Sequence, residues 1–190
     1  MKNPLKNHRR RGDGSPLTPV RIASWVVLAS LLGPSILCCA PADDEKKREK
    51  IDRMYADYKR RSFPDVVDVE PRLAMDLAKR LKVVFVDVRT PEEQSVSMIP
   101  GAVTAEEFLK NLDRYRDDLL IGYCTISYRS GVLARKLGEE KGITLYNLRG
   151  GLLAWVHDGG KVVDQKGETK RIHVYGRKWN LAPAGYESVW

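Results

Sequence analysis

The sequence predicts a small three-layer α/β domain built on a mainly parallel central sheet. Two observations lead there. Residues 83–88 (VVFVDV) and 119–124 (LLIGYC) are apolar on both faces and rich in branched side chains, as strands covered on both sides are. Helix-period segments alternate with these runs and with a third at 143–148 (ITLYNL), which is the pattern of helices laid on the faces of a parallel sheet.

The elements follow in order. Residues 43–62 place Ile51, Met54, Tyr55 and Tyr58 at helical spacing, with acids early and bases late, an arrangement that suits the helix dipole. This predicts an amphipathic helix within a linker at 43–64, its charges forming a solvated face. Residues 66–69 read as a short edge strand. Pro71 then opens a helix at a favourable first-turn position. After the strand at 83–88, a helix is expected around AEEFLKNLDRY, then the strand at 119–124, a helix at GVLARKLGEE, and the strand at 143–148. GGLLAWVHDGG, residues 150–160, has turn glycines, a short helix and its stop. The folded domain is expected at 65–165. The extension at 166–190 carries a strand at 172–175 and four aromatic residues, Tyr175, Trp179, Tyr186 and Trp190, which either line a binding surface or pack over the sheet edge.

Charge excludes one class of partner. The chain has 190 residues and a formal charge of +8, but Lys2, Lys6, Arg9, Arg10, Arg11 and Arg21 against Asp13 put +5 of it in the first 21 residues. The remainder is nearly balanced, so no nucleic-acid partner is expected. The basic arm precedes residues 22–40, IASWVVLASLLGPSILCCA, an uncharged stretch about as long as a bilayer core requires. Residues 1–42 are therefore expected to be an arm plus a signal peptide or membrane anchor, which makes the domain an exported one of the periplasm or cell envelope. Ala40-Pro41-Ala42 has the small-x-small form of a cleavage site. Lipidation at Cys38 or Cys39 would lack the usual small residue before the modified cysteine. With that segment set aside, one cysteine remains, Cys124, with no second thiol for an intramolecular disulfide.

Cys124 sits at the carboxyl end of its strand, beyond which the functional loops of α/β sheets lie. In CTISYRS a tight loop and a helix start follow, so backbone N–H groups of Thr125, Ile126, Ser127, Tyr128 and Ser130 can converge on an anion or on sulfur and favour a thiolate. Arg129 supplies a fork of donors matched to an oxyanion. The ordinary alternative is a small apolar residue finishing a strand beside a surface arginine.

VVFVDVRTPEE, IPGA, LLIGYCTISYRSG and LRGGLLAW, in this order and spacing, resemble the rhodanese-like domain family across roughly residues 65–165. The resemblance implies a parallel sheet flanked by helices and a cysteine that carries transferable sulfur as a persulfide. It puts the nucleophile at Cys124, the cradle at Thr125, Ile126, Ser127, Tyr128 and Arg129, and the helix start at Ser130. Asp87 and Arg89 match the family's Asp-x-Arg brace. Gly150, Gly151 and Trp155 match its structural Gly-Gly and Trp signature. The loop is the six-residue form sized for a single sulfur, one residue shorter than in the related dual-specificity phosphatases.

The expected activity is sulfur transfer from a small anionic or persulfide donor, such as thiosulfate or a polysulfide, to cyanide or an acceptor thiol that includes protein thiols. It requires no metal or organic cofactor. The alternative is a non-catalytic binding or regulatory module of the cell envelope, motivated by Ser127 where many members have glycine and Met98 where they often have histidine. No histidine is placed by the sequence to act as a base: His8 lies in the arm, and His157 and His173 have no assigned route to the cradle.

Overall fold

The computed structural model describes residues 42–190. The segment expected to be a signal or anchor lies outside the described residues, apart from Ala42. Among the described residues no helix is long and apolar enough to cross a membrane.

Helix α1 (Ala42–Ser62) leads to β1 (Asp68–Val69), α2 (Pro71–Ala78), β2 (Val83–Asp87), α3 (Pro91–Val96), β3 (Val103–Thr104) and α4 (Ala105–Lys110). A 3-10 turn, Leu112–Tyr115, precedes β4 (Leu119–Tyr123), α5 (Tyr128–Lys141), β5 (Tyr146–Leu148) and α6 (Gly151–His157). The five strands form one sheet in the order β1-β5-β4-β2-β3, and every pair is parallel. The remaining chain makes an antiparallel hairpin, β6 (Val162–Asp164) with β7 (Gly167–Thr169), and a parallel pair, β8 (Arg171–His173) with β9 (Glu187–Val189).

The period-2 pleat divides the core. Phe85, Ile121 and Tyr123 join Ile51 of α1, Leu152 and Trp155 of α6, and Ile172, Val174 and Leu181 of the C-terminal extension. Val84, Val86 and Leu120 point into a second cluster with Phe108, Tyr115, Ala134 and Leu137. The central strands are thus covered on both faces, which is why their sequences show no polar alternation. Trp155 meets Phe85 edge-on at 5.3 Å, and its indole N–H donates to the Lys161 carbonyl at 2.9 Å. It fills the core with its polar handle satisfied.

Two differences from expectation have local causes. The run 143–148 yields a strand only from Tyr146, because its first residues close the preceding helix. Gly142, at φ +64°, donates to the Gly138 carbonyl, and the Ile143 amide to that of Leu137. Helix α5 begins at Tyr128, two residues before Ser130.

Candidate active site

The carboxyl end of β4 delivers Cys124, a buried free thiol, to the base of a cleft of about 360 Å3. The loop after it is held from behind. The carbonyls of Cys124 and Thr125 accept hydrogen bonds from the amides of Leu152 (2.9 Å) and Leu153 (3.2 Å) at the start of α6. Gly151 makes this approach possible: a Cβ there would stand 2.3 Å from the Cys124 oxygen and 2.8 Å from the Ser127 nitrogen. Both Gly150 and Gly151 also have positive φ, +68° and +64°.

Ser127 turns the loop in the left-handed region, φ 60° and ψ 28°, at a cost of about 1–2 kcal/mol for a residue with a Cβ. A buried network holds that turn. Asn147 donates to the Ser127 carbonyl (3.1 Å) and to the Tyr55 hydroxyl (2.9 Å), and accepts from the Ser130 hydroxyl (2.7 Å). Tyr55 donates in turn to Asp68. Burial, and then the Asp68 carboxylate, push the Tyr55 hydroxyl far above its ordinary pKa, so it remains a donor. Ser130 therefore braces the loop with its side chain. With the loop carbonyls engaged behind it, the amides of residues 125–130 have no carbonyl partner among the described residues.

Arg129 leans across to Glu93 in a bidentate pair, Nη1 to Oε2 at 2.7 Å and Nη2 to Oε1 at 2.8 Å. The Thr125 hydroxyl donates to the same carboxylate at 3.1 Å. Glu93 was not among the expected site residues. Its local signal is legible: Thr90, Pro91 and Glu93 form a capping box, the Glu93 carboxylate accepting from the Thr90 amide at 3.0 Å. One carboxylate thus starts α3, holds the loop through Thr125 and orients Arg129. Burial favours its neutral form, but hydrogen bonds from Arg129 and the Thr90 amide, with the charges of Arg129 and Arg89, outweigh this and bring it down from 4.5 to about 2. Burial works against the Arg129 charge, yet Glu93 and a Cys124 thiolate raise its pKa on balance.

A depressed carboxylate pKa adds stability that is complete above the unfolded value near 4.5 and lost as pH falls through about 2. In denaturant titrations, the stability difference between the native protein and Glu93→Gln is therefore expected to be constant above pH 5 and to shrink between about pH 4.5 and 2. A difference that persists unchanged at the acid end would remove the charge from this account.

Asp87 and Arg89 brace the site from the end of β2. Both side chains are fully buried, with Arg89 Nε on Asp87 Oδ1 at 2.9 Å and Nη2 on Oδ2 at 2.7 Å. Arg89 Nη2 also donates to the Ser97 carbonyl, which fixes the segment leading to Ile99 and Pro100. Met98 pairs with Val163 of β6 through both backbone groups, at 2.8 and 2.9 Å. That position thus serves the backbone of a strap.

The four aromatics of the C-terminal extension have different surroundings. Tyr175 and Trp179 line the Cys124 cleft, whereas Tyr186 packs against the core and Trp190 is exposed. The extension also gives His173, which the sequence left unplaced, a position beside Glu93. His173 Nδ1 lies 3.9 Å from Glu93 Oε1 and accepts from the Tyr175 amide at 3.2 Å, so it neighbours the Glu93–Arg129 pair without hydrogen bonding to it.

The motifs carried by this fold have matches among known proteins. A family model described as "Rhodanese-like domain" matches residues 70–158. A protein named "Sulfurtransferase" from Allochromatium vinosum is 32% identical over 100 residues, spanning 50% of this chain and 92% of that one. Solved structures similar to the chain include a rhodanese-related protein from Thermoplasma volcanium, with 21% identity, 51% of this chain, 97% of the other and a TM-score of 0.45. Another is a rhodanese-like domain protein from Staphylococcus aureus, with 28% identity, 47% and 91% coverage and a TM-score of 0.42. The chain belongs to the rhodanese-like domain family.

Proposed function

We propose that the protein is a sulfurtransferase that carries sulfane sulfur as a Cys124 persulfide. The observation that carries this reading is the loop: a free thiol at the end of β4, followed by amides at 125–130 with no carbonyl partner among the described residues, while the Cys124 and Thr125 carbonyls are engaged by α6. In the first step a Cys124 thiolate attacks the outer sulfur of a donor such as thiosulfate or a polysulfide. The donor's S–S bond breaks, sulfite or a shortened polysulfide leaves with the electron pair, and Cys124 Sγ keeps the outer sulfur. The loop amides hold the terminal sulfur anion. In the second step a thiolate or cyanide attacks that sulfur, the Cys124 S–S bond breaks, and the thiolate returns. Arg129 and Thr125, tied through Glu93, keep the loop closed on the reacting atoms; Asp87 and Arg89 support the strand end from which it departs.

The uncharged segment 22–40 behind a basic arm supports the further reading that this chemistry takes place in the periplasm or cell envelope, on an anchored or a released domain.

Intact-mass analysis of the full-length protein after exposure to thiosulfate or polysulfide tests the proposal. The expected result is a gain of about 32 Da that maps to Cys124, disappears on adding thiol, and is absent in Cys124→Ser. A folded protein that gains no mass with either donor would favour the binding-module reading.

A further inference from the structure

The walls of the cleft are unlike its floor. Above Cys124 and the loop amides stand two aromatic pairs, one joining α1 to the start of α5 and one from the C-terminal extension. Tyr58 of α1 packs on Tyr128 at 5.1 Å between ring centroids, and Tyr175 packs edge-on against Trp179 at 5.3 Å. Among the described residues Arg129 is the one cation lining the cleft, and both its Nη groups are already engaged by Glu93. Tyr175, 63% exposed, is held at φ +66°; Ser127 is the only other non-glycine residue with positive φ among the described residues. Strain of this kind persists where surrounding structure fixes a side chain for use. Here the Tyr175 amide is fixed by His173, and the ring lies with Arg129 5.8 Å from its centroid.

A free anionic acceptor entering this cleft loses hydration and meets a paired arginine and four rings. An apolar body of ring size gains contact with those rings and fits the volume of about 360 Å3. Resting on the sulfurtransferase reading, we propose that the acceptor of the Cys124 sulfur is a small organic thiol with an apolar or aromatic body, selected by Tyr58, Tyr128, Tyr175 and Trp179. Its thiolate attacks the terminal sulfur of the Cys124 persulfide. The bond between that sulfur and Sγ breaks, the electron pair returns to Sγ, and the organic persulfide departs. Three of these four residues lie outside the matched span 70–158, Tyr58 preceding it and Tyr175 and Trp179 following it, while Tyr128 lies within it.

The test uses full-length protein loaded with polysulfide and freed of donor. Loss of the 32 Da adduct is timed with phenylmethanethiol and with 2-mercaptoethanesulfonate, each rate divided by that of the same thiol with a small persulfide in solution. The expected kcat/KM ratio favours phenylmethanethiol by about tenfold or more, the equivalent of partial burial of one ring. Trp179→Ala, and Trp179→Leu as a milder replacement, are expected to reduce that ratio to about threefold or less in protein whose thermal unfolding remains cooperative. Equal rates for the two thiols in the native protein would overturn the selectivity while leaving the persulfide cycle intact, as would an undiminished ratio in both variants. Failure to load Cys124 from any donor would overturn both readings.

Discussion

Gly151→Ala is expected to lower stability by several kcal/mol and to slow or abolish loading of Cys124. Two effects act at the same atom. The residue has φ +64°, where a Cβ costs about 1–2 kcal/mol. That Cβ would also stand 2.3 Å from the Cys124 carbonyl and 2.8 Å from the Ser127 amide, both backbone atoms that no rotamer change can move. Relief requires α6 to withdraw from the loop, which breaks the bonds from Leu152 and Leu153 to the Cys124 and Thr125 carbonyls. Overpacking of this sort costs roughly 1–3 kcal/mol in addition. Denaturant unfolding reads the stability, and the mass gain reads the loop. A variant with native stability and native loading would show that the approach of α6 does not set the loop.

Asp87→Ala is expected to cost about 3–5 kcal/mol, because it leaves the Arg89 guanidinium buried with its main partner gone. The Ser97 carbonyl cannot compensate a full charge. Arg89 Nη1 has no hydrogen-bond partner among the described residues, so they offer no other group to take up the charge. The double replacement Asp87→Leu with Arg89→Met removes both charges and should cost less than the sum of the single changes. Equilibrium unfolding of the four proteins measures that coupling. Additive losses would mean that the two charges are not each other's compensation.

The sheet was legible because its central strands are covered on both faces. Residues 83–88 and 119–124 can satisfy no other environment, and Cys124 follows from its place at the end of one of them. The Asp87–Arg89 pair and the Gly-Gly turn came from the resemblance, which matched short local patterns. What was not legible is short or long-range. Strands β3, β6, β7 and β9 have two or three residues each, too few for a period to show. Glu93 carries a local signal, the capping box, but nothing in the chain around it announces a pairing with Arg129, 36 residues away. Tyr58 and Trp179 reach one cleft from positions 121 residues apart, and such meetings exist only after folding.

The network that joins Tyr55, Asn147 and Ser127 extends the mechanical unit beyond the matched span. The family pattern begins at residue 70, yet Tyr55 and Asp68, which complete the support of the sulfur-facing loop, precede it. At the other boundary the Asp44 carboxylate accepts from the Ala184 amide at 2.9 and 3.0 Å, and Arg48 clasps Asp158 at 2.6 and 2.9 Å. The flanking segments are thus cross-braced to each other as well as to the domain they enclose. A change in one flank is therefore felt by the other and by the loop that both enclose, so the cleft walls and the loop behave as one mechanical unit.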